Sequence, residues 1–299
     1  MIKDAYINDI LGFGGAERQL SLLVRALPDP FSPVVVALSD DIHPFGDELR
    51  ADGIDVVALP RRSGLDMARL SGAIGVLREH KADLVHGFLD AANAYAFASG
   101  RFLRKPVVLS LRNELLRVQG ARAGVLAWML RHAERVLVNS SAGADHLQKD
   151  IHVDPSKILH IPNWIDPGRT GRVRDIPPTG APVIGFVGRF ARQKRLDILL
   201  DSFARVLETM SSARLILMGG GGEKEMVKTR IRDLGIDRNV EIVDPNPDVD
   251  ATLRRIHIFV MTSDFEGLPN SAMEALSMGI PIVSTPVGDV RELVVEGET

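Results

Sequence analysis

Two doubly wound α/β domains are predicted by three features of the 299-residue sequence. Short β-branched runs alternate with longer amphipathic stretches, the rhythm of parallel strands joined by crossover helices. The rhythm breaks over Asp166–Pro182, where four prolines and three glycines fall within 17 residues without apolar periodicity. Such a stretch reads as a linker. The rhythm then restarts, and the length suits two domains at roughly 100–200 residues each.

Before the break, strands are predicted at Asp4–Ile7, Val34–Leu38, Asp55–Leu59, Asp83–His86, Val107–Leu111, Arg135–Asn139 and Ile158–Ile161. Helical segments between them include Ala16–Ala26, Asp66–Glu79 and Ala121–Ala133. After it, strands are predicted at Val183–Val187, Arg214–Met218, Val240–Val243, Ile258–Met261 and Pro281–Ser284. The first domain is placed at residues 1–170, the linker at 171–182 and the second domain at 183–299. Such a sheet often has six strands. The second half supplies five and closes on VVEGET, a loop-like sequence, so its domain reads as cut short at the C-terminus. Two such domains are expected to face a cleft, with ligands at the strand C-terminal ends.

Composition narrows the function. The net charge of −3 gives no global pull toward nucleic acid. Cysteine is absent, which removes disulfides, thiolate zinc sites and cysteine nucleophiles and suits the cytosol. The N-terminus, with Lys3, Asp4 and Asp9, is not a signal peptide. No uncharged apolar run reaches the ~18 residues of a spanning helix, so membrane contact is expected to be peripheral. Residues 101–135 hold eight cations against Glu114 and Glu134, with Leu115, Leu116, Val125, Leu126, Trp128, Met129 and Leu130 interleaved. That segment reads as a solvated face whose apolar residues belong mostly to the core, or as a surface for anionic lipid or a phosphate-bearing acceptor.

Chemistry is sought in the strand-to-helix loops. Gly12-Phe13-Gly14-Gly15-Ala16-Glu17 follows the first strand and opens a helix, where glycines allow close backbone approach and free amides attract anions. Glu17 equally suits the helix dipole. Gly188-Arg189-Phe190-Ala191-Arg192-Gln193-Lys194 puts Arg189 and Lys194 at a sheet edge, the charge a departing diphosphate needs. Met218-Gly219-Gly220-Gly221-Gly222-Glu223 has the small footprint that lets a base or ribose lie against the chain, or is a flexible turn. In the loop and short helix of Phe265–Gly279, Glu266 and Glu274 are placed to bind hydroxyls while amides hold phosphate. Ser271-x-x-Glu274 also has the form of a capping box. Asp248-Val249-Asp250 resembles a metal-binding pair, but Asp250 before Ala251–Arg255 reads better as a helix cap. His86 ends a strand, as a hydrogen-bonded structural group or a catalytic one.

Together these residues resemble glycosyltransferase family 4, retaining enzymes of the GT-B fold. The resemblance runs through Gly14-Gly15-Ala16-Glu17, Arg112-Asn113, Asn139-Ser140, Ile161-Pro162-Asn163-Trp164-Ile165-Asp166, Gly188-Arg189 with Lys194, and Glu266-x7-Glu274. It implies that Arg189 and Lys194 hold the donor diphosphate, Glu266 the sugar hydroxyls and Glu274 the ribose. Gly267, Leu268, Pro269, Asn270 and Ser271 would contact sugar and phosphate, Gly14 and Gly15 would face the donor phosphates or the acceptor, and Arg112 and Asn113 would lie on the acceptor side; the glycine loop read above adds Gly219 to the donor-binding residues. Relatives often carry His-x-His where this chain has His86-Gly87-Phe88.

The implied reaction moves a sugar from a nucleoside-diphosphate sugar, UDP first and GDP next, to a glycan or lipid-linked acceptor, without metal or other cofactor. The expected setting is the cytoplasm, with peripheral contact at the inner membrane face. A non-hydrolysing sugar-nucleotide epimerase and a non-catalytic nucleotide-sugar binder are the alternatives. No G-x-G-x-x-G supports an NAD-dependent oxidoreductase.

Overall fold

The computed structural model describes residues 1–60, 66–112, 121–166, 180–246 and 248–297. It divides into two compact units, Met1–Asn163 and Trp164–Thr299. Most of the proline-rich break, residues 167–179, lies outside the described residues.

Unit 1 runs β1 (Ile2–Asn8), α1 (Gly15–Arg25), β2 (Phe31–Ala37), α2 (Phe45–Ala51), β3 (Asp55–Ala58), α3 (Met67–His80), β4 (Leu84–Phe88), α4 (Asp90–Phe102), β5 (Val107–Leu111), α5 (Ala121–His132), β6 (Arg135–Val138), α6 (Ser141–Lys149) and β7 (Ile158–His160). Its sheet is ordered β3-β2-β1-β4-β5-β6-β7, and its pairs are parallel, with Ala5 opposite both Val34 and Val85. Alternation along β1 explains the two cores. Ala5 and Ile7 join Val34 and Val36 under α3 to α6, while Tyr6 joins Val35 and Ala37 under α1 and α2. A sheet covered on both faces accounts for apolar runs such as Val34–Val36.

Unit 2 runs β8 (Val183–Val187), α7 (Leu196–Thr209), β9 (Arg214–Met218), α8 (Lys224–Asp233), β10 (Val240–Val243), α9 (Val249–Leu253), β11 (Ile258–Met261), α10 (Asn270–Ser277), β12 (Ile282–Ser284) and α11 (Val290–Leu293). Its order is β10-β9-β8-β11-β12. One core packs α7 and α8 on the sheet through Leu199, Leu200, Phe203 and Val227. The other packs α9 to α11 through Leu253, Ala272, Ala275 and Val290.

The strand order reverses between β1 and β4 in unit 1 and between β8 and β11 in unit 2. Outside the C-terminal ends of such a pair, crossover connections leave in opposite directions and open a crevice. Two sequence expectations shift. Asp248, not Asp250, caps α9: its Oδ1 accepts from the Ala251 amide at 3.1 Å, and Asp250 is buried in the first turn. The capping box at Ser271 is absent because α10 begins at Asn270, with Pro269 in the cap position and no side-chain cap.

Candidate functional site

In unit 2 the reversal brings the loop after β8 against the loop after β11. Lys194 Nζ donates to Glu266 Oε1 in an ion pair. Ser263 Oγ donates to the same oxygen at 2.6 Å, and Gln193 Nε2 to the Phe265 carbonyl at 2.7 Å. The two loops are stitched further. The Asp264 amide donates to the Gln193 carbonyl at 2.9 Å, and Thr262 Oγ1 donates to the Lys194 and Arg195 carbonyls at 3.0 and 2.9 Å. Arg195 reaches both Asp197 (2.9 Å) and Asp264 (3.1 Å). Hydrogen bonding, first to Asp197 and then to Asp264, holds its guanidinium well above its ordinary pKa.

A loop carboxylate facing a cleft is expected to be exposed, yet Glu266 is only 7% exposed. The surrounding loops enclose it, and a carboxylate in that position requires charge and hydrogen-bond partners. Arg189 and Lys194, expected as a pair, diverge. Lys194 is tied to Glu266, while Arg189 is exposed and forms no ion pair among the described residues. Glu274 lies on the buried face of α10 at 8% exposure. Gly267, Leu268 and Pro269 are buried, and Asn270 and Ser271 open α10, whose N-terminus directs its dipole toward an anion.

Gly219 has a reason that its sequence context hides. Its φ is +154°, and a Cβ there would overlap the Gly188 carbonyl oxygen. The glycine lets the chain's own backbone pass. The smallness read as room for a ribose is taken up at that point by the neighbouring loop.

In unit 1, Gly14 and Gly15 stand at the start of α1, and Glu17 is buried in its first turn. Asp9 Oδ1 accepts from the Ala92 amide at 2.7 Å, tying the loop after β1 to α4 across the reversal. His86 is buried at 5% exposure, and its Nε2 lies 2.8 Å from Ser110 Oγ. Phe88 packs on His86 with ring centres 4.5 Å apart. Arg112 stacks over Phe88 at 4.8 Å and donates to Asn163 Oδ1 at 2.8 Å, an oxygen that Asn139 Nδ2 approaches at 3.3 Å. Burial lowers the Arg112 pKa to about 10, against the raising pull of Glu17, so it stays charged at neutral pH. Asn113 lies outside the described residues.

Burial, and secondarily the Arg112 charge, lowers His86 to about 3. The imidazole is therefore neutral throughout the working range and a poor proton acceptor. Below pH 6.5 the unfolded chain takes up a proton that the folded chain refuses, so stability falls as pH falls. Wild type should lose about 2 kcal/mol more than His86→Asn between pH 7.5 and 5 in urea unfolding of unit 1. Equal losses would show that His86 is not a buried neutral group.

Two parallel doubly wound sheets, one with a part-buried lysine–carboxylate pair at its reversal, are the elements of the GT-B fold class. The chain belongs to glycosyltransferase family 4: residues 13–169 match the model described as Glycosyltransferase Family 4, and residues 181–299 that described as Glycosyl transferases group 1. It is 33% identical over 137 residues to a Vi polysaccharide biosynthesis protein of Salmonella typhi, covering 46% of this chain and 23% of the relative. It is 24% identical over 278 residues to a glycogen synthase of Mycobacterium tuberculosis, covering 89% and 66%. The chain thus spans less than two thirds of either relative. In fold it is similar to Anabaena HepE, solved in complex with UDP and glucose, with a TM-score of 0.86 at 20% identity over 99% of this chain and 84% of the other.

Sequence reasoning missed Ser263, Gln193 and Gly288, a glycine with φ of +52° where a Cβ would overlap the carbonyl oxygens of Glu266 and Gly267. Ser263, three residues before Glu266, was the most accessible signal, since a buried carboxylate needs a donor nearby. Gln193 and Gly288 become visible only when the loops meet.

Proposed function

We propose that this chain transfers a glycosyl group from a nucleoside-diphosphate sugar, UDP first and GDP next, to a hydroxyl of a glycan or lipid-linked acceptor, with retention at the anomeric carbon. The observation that carries the reading is the Lys194–Glu266 pair at the reversal between β8 and β11. Lys194 and Arg189 offset the charge that builds on the diphosphate as the sugar bond breaks. Glu266 accepts hydrogen bonds from sugar hydroxyls and fixes the ring's orientation. Glu274 takes the ribose, and the N-terminus of α10 receives a phosphate. Arg112 serves the acceptor side. The leaving phosphate takes the acceptor's proton, so no protein base is required, which agrees with a neutral His86. The UDP preference is supported by the HepE complex, and a surface-glycan acceptor by the Vi polysaccharide relative. This chemistry belongs on the cytoplasmic side of the membrane, where nucleotide sugars are made.

A thermal-shift screen over UDP, GDP and their sugars tests donor binding, since a ligand that binds only the folded state raises its melting point. UDP-sugars should give the largest shift. No shift with any nucleotide would overturn the reading, and an epimerised donor in the absence of acceptor would make the chain an isomerase.

We also propose that no metal takes part. Asp248 is committed to capping α9, and Lys194 and Arg189 supply cationic charge. Transfer should persist unchanged in excess EDTA. Loss of activity that Mn²⁺ or Mg²⁺ restores would refute this assignment.

A further inference from the structure

One residue stands between Lys194 and α7, and it breaks two local rules. Arg195 has φ of +47° and ψ of +49°, the left-handed region. Glycine is at ease there, whereas a residue with a Cβ is strained. Arg195 also fills the cap position of α7 without giving a side-chain cap hydrogen bond. That position favours Ser, Thr, Asp or Asn in extended backbone. Lys81 is left-handed too, with φ of +58°, but it closes α3, where that conformation is common. Arg195 opens a helix instead. Strain of this kind persists only where surrounding structure enforces it, and it gathers at functional sites.

The side chain supplies the enforcement. Nε and Nη2 fork onto the two oxygens of Asp197 at 3.0 and 2.9 Å, and Nη1 donates to Asp264 Oδ1 at 3.1 Å. Asp197 lies in the first turn of α7, and Asp264 precedes Glu266 by two residues. One guanidinium thus ties the start of α7 to the loop after β11. With Lys194–Glu266 it makes a second rung between the same two loops. The Lys194 and Arg195 carbonyls both accept from Thr262 Oγ1, so the two residues are held as one piece. Arg195 and its two carboxylates are each a third or more exposed, so solvent screens these bonds and they contribute little to stability. Screened ion pairs do not offset the backbone strain, which leaves geometry as the use of the arginine. We infer that Arg195 is a positioning residue: by spanning Asp197 and Asp264 it sets where Lys194 meets Glu266. On the transfer proposed above, on which this second half rests, it thereby sets how Lys194 meets the departing diphosphate. Lysine cannot replace it, because an ammonium has no fork to hold two carboxylates. Glycine relaxes the backbone but loses both bonds.

The test compares Arg195→Gly and Asp264→Asn, which cut the same rung from opposite ends, by a readout that needs no substrate. Acetic anhydride labels lysines according to their access, and mass spectrometry follows each site. Lys194 is only 16% exposed and should label slowly in the wild type. Each variant should label Lys194 several-fold faster. Lys228, whose partner Glu225 lies on its own helix, is the internal reference and should not change. The melting temperature should stay within about 3 °C of wild type in both variants. Turnover should separate in a way that simple loss of stability would not produce. The kcat should fall about tenfold while the donor KM stays within about twofold, since charge on the leaving group builds only in the transition state. Arg195→Lys should turn over as slowly as Arg195→Gly. Lys194 labelling unchanged in both variants, or faster only in step with Lys228, overturns the inference, as does full kcat in both. A wild type that transfers no sugar would instead remove the proposed function, and Lys194 labelling would still decide whether Arg195 positions the pair.

Discussion

Glu266→Gln is expected to lower glycosyl transfer by about two to three orders of magnitude, the range seen when one preorganised electrostatic partner of a reacting group is lost. Glutamine has nearly the shape of glutamate, so packing survives while the charge that Lys194 faces is removed. The amide also cannot accept at both oxygens, so Ser263 and the sugar hydroxyls compete for one. Lys194→Gln should fall by a similar factor. The double variant should be little worse than either single one, because the two groups act as a unit. The burial of Glu266 adds a second consequence that exposure would not have given: unit 2 should lose about 1–3 kcal/mol in urea unfolding. Turnover within twofold of wild type in either single variant would remove that residue from the mechanism.

Gly288→Ala is expected to damage both stability and turnover although residue 288 touches no substrate in the proposed reaction. Its φ is +52°, and a Cβ there would overlap the carbonyl oxygens of Glu266 and Gly267. The Gly267 oxygen already accepts from the Asp289 amide at 3.1 Å, so the strand-end loops are locked together at this point. Left-handed backbone alone costs an alanine about 1–2 kcal/mol. The overlap must then be relieved by moving backbone, since no rotamer change can do it. A shift of about 1 Å at Glu266 should lower turnover by up to about a hundredfold. Gly235→Ala is the control, with φ of +65° and open space around the added carbon. It should show the backbone cost and leave turnover unchanged. If the two variants behave alike in stability and activity, the contact between these loops is not what positions Glu266.

The loop given most of the proposed chemistry is legible in the sequence, and the reasons are local. Phe265–Gly279 announces a turn, a short helix and its stop through residue types alone, and α10 duly ends just before Gly279. Every predicted strand is present, within a residue or two at each end except β2, which starts three residues earlier than predicted. The periodicity that marks them comes from burial on both sheet faces, which the chain writes into its own apolar runs. Errors arose where a local rule had two applicants. Asp248 and Asp250 both suit a cap, and only the actual first turn selects between them. Ser271 suits a cap too, but Pro269 takes the position because the helix starts two residues earlier than a Ser271 cap requires.

By itself, then, the sequence determined the order of the strands along the chain, because each follows from composition and period over a few residues. Tertiary structure alone decided what those loops do to one another. It buried Glu266 against Lys194 and Ser263, separated Arg189 from that pair, turned His86 into a neutral group under Phe88, and set Gly219 and Gly288 where neighbouring carbonyls leave no room for a side chain. Lys194 and Glu266 are 72 positions apart, as are Gln193 and Phe265. Only the strand order, which puts β8 beside β11, brings such residues together, and no local pattern encodes that adjacency.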